Sequence, residues 1–172
     1  TDLALKLKSE KLLTAALGLW YSDQISDVAL AQFDWINVMS YDATGPWAPD
    51  VIGQHSSYAK AEEDLNHFMM RGVPSVKLIL GVPFYGYDFK YNTSERMGIS
   101  YKEIVNEYPG AENSDRLDKI YYNGINTITE KVRLVKKRDA GGIMIWEITQ
   151  DVESSDNRSL LRAIYQEVFH LF

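Results

Sequence analysis

A parallel α/β sheet with helices packed on it is the fold class the sequence predicts, and three features predict it. Four short apolar runs, at residues 12–19, 33–40, 77–84 and 142–148, have the composition of strands buried on both sides. Between them, apolar residues recur at helical spacing. Two candidate capping boxes, Ser100 with Glu103 and Thr127 with Glu130, mark where two of the helices begin. Continuous apolar strands alternating with helices imply a parallel sheet covered on both faces.

Taken in order, residues 1–9 (TDLALKLKS) are mostly good helix formers and read as the tail of a helix. Strand 12–19 follows, and Asp23 is placed to cap a short helix running to about Gln32. The next stretch, FDWINVMSYD at 33–42, passes from an apolar strand into Met39, Ser40, Tyr41 and Asp42, and then into the loop ATGPW that ends at Trp47. Tyr58, Ala61, Leu65, Phe68 and Met69 keep helical spacing, and Gly72 stops that helix. KLILGVPF at 77–84 is the third strand. A connection over residues 86–122 holds the short helix opened by Ser100. The helix from Thr127 puts Ile128, Val132 and Val135 on one face and stops at Gly141, ahead of the strand GIMIWEI at 142–148. A last helix, from about Asn157, is expected to bury Leu160, Leu161, Ile164, Tyr165 and Val168.

Four strand–helix units are half of an eight-stranded barrel, which usually takes about 250 residues. A chain that opens in a helix is expected to have lost the strand before it, and its first residue, Thr1, points the same way. The chain is either a four-stranded open sheet in its own right or the back half of a barrel; the leading helix favours the second, so residues 1–172 are read as one partial domain, the C-terminal half of a TIM (β/α)8 barrel, with 86–122 as a modest insertion before the last unit. In such folds the carboxyl ends of the strands carry the chemistry. Met39, Ser40, Tyr41 and Asp42 stand at such an end.

Composition narrows the function. With 45% apolar and 24% charged residues the chain is an ordinary globular one, and its net charge of −6 argues against a nucleic-acid surface. The basic run Lys136-Lys137-Arg138 falls in the last turn of a helix, where cations oppose the dipole. There is no cysteine, which excludes disulfides and thiolate chemistry, and His55, His67 and His170 lack metal-ligand spacing, so no metal or other cofactor is expected. No apolar run is long enough to span a membrane. A phosphate site finds little support, because Gly141-Gly142 precedes its strand instead of following it.

The succession FDWINVMSYD-ATGPW, KLILGVPFYGYDF and GGIMIWEITQD resembles the C-terminal half of the glycoside hydrolase family 18 barrel, the family of many chitinases and some endo-β-N-acetylglucosaminidases. The resemblance covers nearly the whole chain and makes its strands the fifth to eighth of that barrel. It implies a role for Tyr41 in steadying the N-acetyl group of the sugar at the cleavage point, and for Asp42 in hydrogen-bonding to that sugar. It implies Met39 as packing inside the barrel, Trp146 as the floor under the sugar, Trp47 as an aromatic on the leaving-group side and Tyr85 as a tyrosine at the end of the seventh strand. Where the family often has arginine two residues later, this chain has Tyr87, which puts one polar contact in doubt. Physical chemistry favours the same residue types, since a pyranose offers an apolar C–H face to flat rings and an equator of hydroxyls to carboxylates and phenols. Trp20 and Trp35 are read as structural, Trp35 in mid-strand, and Glu147 and Asp151 as bracing the loop after the last strand.

The family's fourth-strand motif D-x-x-D-x-D-x-E supplies the acid that protonates the glycosidic oxygen while the substrate's own acetamide attacks. No segment of this sequence matches it. Glu62-Glu63-Asp64 lacks the spacing and reads as a solvated helix face. The resemblance therefore implies a retaining, substrate-assisted hydrolase of β-1,4-linked N-acetylglucosamine, with the isolated chain inactive for want of its general acid. The alternatives are a non-catalytic chitin-binding or scaffold member of the same fold, or an enzyme acting on N-glycans. The expected partners are chitin or a related oligosaccharide, and either the N-terminal half of the barrel or a second copy. A secreted, periplasmic or cell-surface setting is implied by the substrate.

Overall fold

The computed structural model describes residues 2–7, 10–91 and 97–169. Thr1, Ser9 and His170, which enter the sequence reading, lie outside these. Four parallel strands form the main sheet: β1 (Thr14–Leu17), β2 (Trp35–Val38), β3 (Leu78–Pro83) and β8 (Gly142–Trp146), in the order β1-β2-β3-β8. The register pairs Val38 with Leu80 and Leu80 with Ile143, so one file of apolar side chains crosses the sheet. A short helix α1 (Asp2–Leu7) precedes β1. This is the architecture of half a barrel.

The sheet is covered on one face, where the sequence pattern implies two. Ile36, Val38, Leu78, Leu80 and Val82 are fully buried under helices, while Trp35, in the alternate set, is 46% exposed. Each strand-to-strand crossover in a parallel sheet is right-handed, so successive helices return over the same side when the strands advance in one direction. Trp35 is accordingly the first residue of β2, on the uncovered face, and is not a mid-strand core residue.

Two core clusters fix the helices. Under α4 (Tyr58–Met70), Ala61, Leu65 and Phe68 meet Ile36, Val38, Leu78 and Leu80, and Ser57 caps the helix by accepting from the Lys60 N–H. The helix ends where Gly72 takes φ 83°, a left-handed conformation open to glycine. Under α6 (Ile125–Lys137) and α7 (Leu160–Phe169), Ile128, Val132, Leu160 and Ile164 pack with Val82 and Phe84.

Several helix boundaries differ from the sequence reading for identifiable reasons. Asp23 ends the four-residue helix α2 (Leu19–Ser22) instead of opening one, and Ser26 caps α3 (Asp27–Leu30). Thr127 is not an N-cap, because α6 begins two residues earlier. A carboxylate distant in sequence does the capping: Asp115 accepts from the Gly124 N–H at 2.8 Å and from Thr127 Oγ1 at 2.5 Å. The basic residues Lys136 and Lys137 do fall in the last turn of α6. In α7 the buried stripe is Leu160, Ala163, Ile164 and Glu167, leaving Tyr165 and Val168 exposed. Asp151 sets that rotation by accepting from the N–H groups of Leu160 and Leu161 and from Ser159 Oγ.

Between β3 and β8, the chain forms a small antiparallel sheet in the order β5-β4-β7-β6, from β4 (Tyr85–Asp88), β5 (Gly98–Ser100), β6 (Arg116–Leu117) and β7 (Ile120–Tyr121). Helix α5 (Tyr101–Glu107) starts at the capping box of Ser100 and Glu103, both halves of which form. Strand β4 begins one residue beyond Phe84, whose N–H donates to Trp146 O at 2.8 Å. The added sheet is thus anchored at the carboxyl end of the main one.

Candidate functional site

Parallel strands share one carboxyl edge, so the residues just past β1, β2, β3 and β8 converge there. Past β2, the backbone turns out of the sheet at Asp42, which takes φ 61°, a conformation that asparagine and aspartate tolerate better than bulkier residues. Past β3, strand period puts Tyr85 and Tyr87 on one side of β4. Their hydroxyls both donate to Asp42 Oδ1, Tyr85 at 2.5 Å and Tyr87 at 2.9 Å.

His55 completes this group. It is fully buried, with its ring centroid 5.1 Å from that of Tyr85 and 4.9 Å from that of Tyr87, and its Nδ1 lies 3.5 Å from Asp42 Oδ1 and 3.4 Å from the Asp42 N–H. Burial keeps the imidazole below its ordinary value against the pull of Asp42, so at neutral pH the contact is between a neutral ring and a carboxylate. Burial alone would raise the Asp42 carboxyl, but hydrogen bonds from His55, Tyr85 and Tyr87 outweigh it and hold the acid below the usual range. The phenols respond the opposite way. Burial first, then the Asp42 charge, pushes Tyr41 up to about 12 and raises Tyr85 and Tyr87 as well, so all three remain donors.

Tyr41 is buried at the foot of the group, edge-on to Tyr85 with centroids 6.3 Å apart. A Cβ built on Gly81 of β3 would sit 3.0 Å from Tyr41 Cε1 and 2.6 Å from Val38 O, so the phenol rests where β3 has no side chain. Met39 is half-buried and continues the β1–β2 ladder through its N–H to Leu17 O.

In front of Asp42 opens a cleft of about 790 Å³ lined by Trp20, Tyr21, Trp47, Lys60 and Glu63, with Asp42 in its wall. Trp47 is 60% exposed and stands edge-on to Tyr87 at 5.9 Å. Trp146, 56% exposed, is at the end of β8 and outside the lining of this cleft. A second hollow of about 570 Å³ under the loop after β8 offers no comparable constellation: its Lys102 Nζ donates to Thr149 O and its Asp156 pairs with Arg158.

Of the residues the sequence singles out, Tyr41, Asp42, Trp47 and Tyr85 come together here, with Met39 just behind and Trp146 at the next strand end. Tyr87, doubtful in the sequence, is at the centre. Trp20 is not a structural residue in the sense expected, since its ring is 47% exposed in the cleft with Lys60 Nζ 5.9 Å from its centroid. Asp64 does not belong to a solvated face. It is buried, paired with Lys60 at 3.1 Å, and its carboxyl is raised by burial against the opposing influence of Ser40 and Lys60. The i,i+4 spacing of Lys60 and Asp64 was a usable signal for that pair; nothing local in the sequence announces His55. Among the described residues no cluster of His, Asp and Glu could hold a metal ion, and no helix is long and apolar enough to cross a membrane.

Comparison of the sequence and fold with known proteins points to one family. Residues 1–151 fit the sequence profile of glycosyl hydrolases family 18. A family 18 chitinase from the chitin utilization locus of Flavobacterium johnsoniae superposes with a TM-score of 0.89 at 42% identity, over 99% of this chain and 54% of that one. A chitinase from Bacteroides thetaiotaomicron gives 0.86 at 30% identity, over 98% of this chain and 56% of that one. Chitinase-3-like protein 2 of Homo sapiens is 25% identical over 87% of this chain and 50% of its own length. The chain thus spans about half the length of these proteins.

Proposed function

Since the chain belongs to glycosyl hydrolases family 18, we propose that it carries the sugar-positioning side of a chitin-cleaving site, the general acid being supplied from outside residues 1–172. One observation carries the proposal: two phenols and an imidazole converge on Asp42 and keep it ionised, while part of the carboxylate faces the cleft. A fixed anion there accepts a hydrogen bond from the acetamide N–H or a hydroxyl of an N-acetylglucosamine unit. Held so, the acetamide oxygen can approach the anomeric carbon, in keeping with a retaining, substrate-assisted reaction.

In this reading Tyr41 donates its hydroxyl to the N-acetyl group, a role its raised pKa suits. The exposed ring of Trp146 underlies the sugar at the cleavage point, and Trp47 receives the next unit on the leaving-group side. Met39 packs beneath, and Tyr85 both orients Asp42 and closes the wall. Chitin or its oligosaccharides are the ligands proposed. Strands β1 and β8, each with a single neighbour in the described sheet, are the edges against which the other half of a barrel, or a second copy, would pair. A polymeric substrate of this kind lies outside cells, which favours an exported protein.

The test uses the 172-residue chain. Titration with chitotetraose, followed by tryptophan fluorescence, is expected to give saturable quenching, and a fluorogenic N,N′-diacetylchitobioside is expected not to turn over. Absence of any binding would sink the site assignment; turnover would sink the claim that the acid lies elsewhere.

A further inference from the structure

The loop that carries the site runs from the end of β2 at Val38 to the start of α4 at Tyr58, and Ser40 and Ser56, joined by a hydrogen bond, form its neck. One side chain from elsewhere holds them both. Lys131, in the middle of α6 and fully buried, donates from Nζ to Ser56 O at 2.8 Å, Ser56 Oγ at 2.7 Å and Asn123 Oδ1 at 2.8 Å. Ser56 Oγ passes the contact on, donating to Ser40 O at 2.6 Å. Just inside the neck, the Ala43 N–H donates to His55 O at 3.0 Å, and Asn123 Nδ2 secures Ser56 O from the other side at 2.9 Å.

A buried lysine without a carboxylate in contact is unusual, because the ammonium loses its hydration for neutral acceptors alone. Three acceptors match three N–H bonds: a carbonyl, an amide oxygen and a hydroxyl whose own proton is committed to Ser40. The matched species is therefore the ammonium. An amine would leave one acceptor unserved. We infer that Lys131 is a positioning residue for the site, its ammonium clamping the neck of residues 41–55 so that Asp42, Trp47 and His55 hold their places. The consequence for sugar binding rests on the function proposed above; the clamp itself does not.

The pH signature follows from the surroundings. Burial pushes Lys131 down to about 7, opposed by Asp115 and Asp64 and assisted by Lys60, while His55 faces it from the loop. An opening that hydrates Lys131 restores its ordinary value and takes up a proton, so the closed neck should be weakest below neutrality and gain on that opening as pH rises through about 7.

The experiment compares the wild-type chain with Lys131→Met, which keeps length and loses every donor. The protection factor of the Ala43 amide, corrected for intrinsic exchange, is expected to fall at least about tenfold in the variant, as loss of buried hydrogen bonds requires. The Leu80 amide, in the sheet, is expected to keep its protection. Between pH 6 and 9 the wild-type Ala43 factor should rise through neutrality and the variant's stay low and flat. Chitotetraose affinity should fall in parallel at temperatures where both proteins are folded. Unchanged Ala43 protection, or loss of protection with undiminished affinity, overturns the inference. If wild type binds no chitotetraose, the functional reading fails while the exchange data still decide the clamp. Should Lys131→Met not fold, Ser56→Ala removes the hydroxyl that joins Lys131 to Ser40 while leaving Ser56 O as an acceptor, and must lower Ala43 protection severalfold; no change in that variant would also overturn it.

Discussion

The hydroxyl of Tyr87 donates to Asp42 Oδ1 across 2.9 Å from a side chain that is almost wholly buried. This phenol thus contacts the carboxylate that, in the function proposed above, would hold the ligand. Tyr87→Phe deletes one of two phenol donors to a charged acceptor, where such bonds are strong. The Asp42 carboxyl should rise toward its ordinary value, and the acid limb of chitotetraose binding should move to higher pH. Carboxyl carbon NMR titration reads the first and affinity against pH the second.

Acid should weaken the folded state through His55. Its folded value is depressed below the 6.5 of an exposed ring, so the unfolded chain takes up a proton that the native protein resists. The contribution is fully present above about 6.5 and is lost as pH falls through the folded value. Asp42, also depressed, extends the loss below the ordinary carboxylate range. The groups facing the ring are Asp42, Tyr85, Tyr87 and, further back, Lys131. Thermal unfolding at pH 7.5, 6 and 5 should therefore show a falling midpoint in wild type and a shallower fall in His55→Asn.

The two half-exposed tryptophans outside the expected set should separate cleanly. Trp20 lines the cleft; Trp35 begins β2 on the open face of the sheet. Trp20→Ala is expected to weaken chitotetraose by about two- to tenfold, the scale of one aromatic contact. Trp35→Ala should leave affinity unchanged. Equal effects in a calorimetric titration would place the sugar elsewhere.

Stability should be concentrated under α4. Phe68 is fully buried between β2 and β3, whereas Met70 in the same helix is 87% exposed. Phe68→Ala is expected to cost about 3–5 kcal/mol in urea unfolding, and Met70→Ala to stay within about 0.5 kcal/mol.

What the sequence made legible was local. The apolar runs located all four strands of the main sheet, because buried parallel strands leave an uninterrupted signature, and the polar cluster after Val38 located the strand end that matters. The rest depends on residues that meet only through the fold. His55 approaches Asp42 from 13 residues away, and Lys131 reaches Ser56 across 75. The capping box at Thr127 failed for the same reason: the helix starts at Ile125, and Asp115, 12 residues upstream, accepts from the Thr127 hydroxyl and the Gly124 N–H. Short-range rules rank neighbours along the chain. They are silent about competitors that arrive through space.

The bare backbone at Gly81 has a further consequence. A single methyl group there would press on Val38 O and on the Tyr41 ring from one strand away. How deep the phenol sits is thus set by an atom the chain does not have, and in the site proposed above the height of a sugar over the sheet would be written in β3, not in the residue that would touch it. Any redesign of this pocket for a bulkier or slimmer guest has its adjusting screw at Gly81.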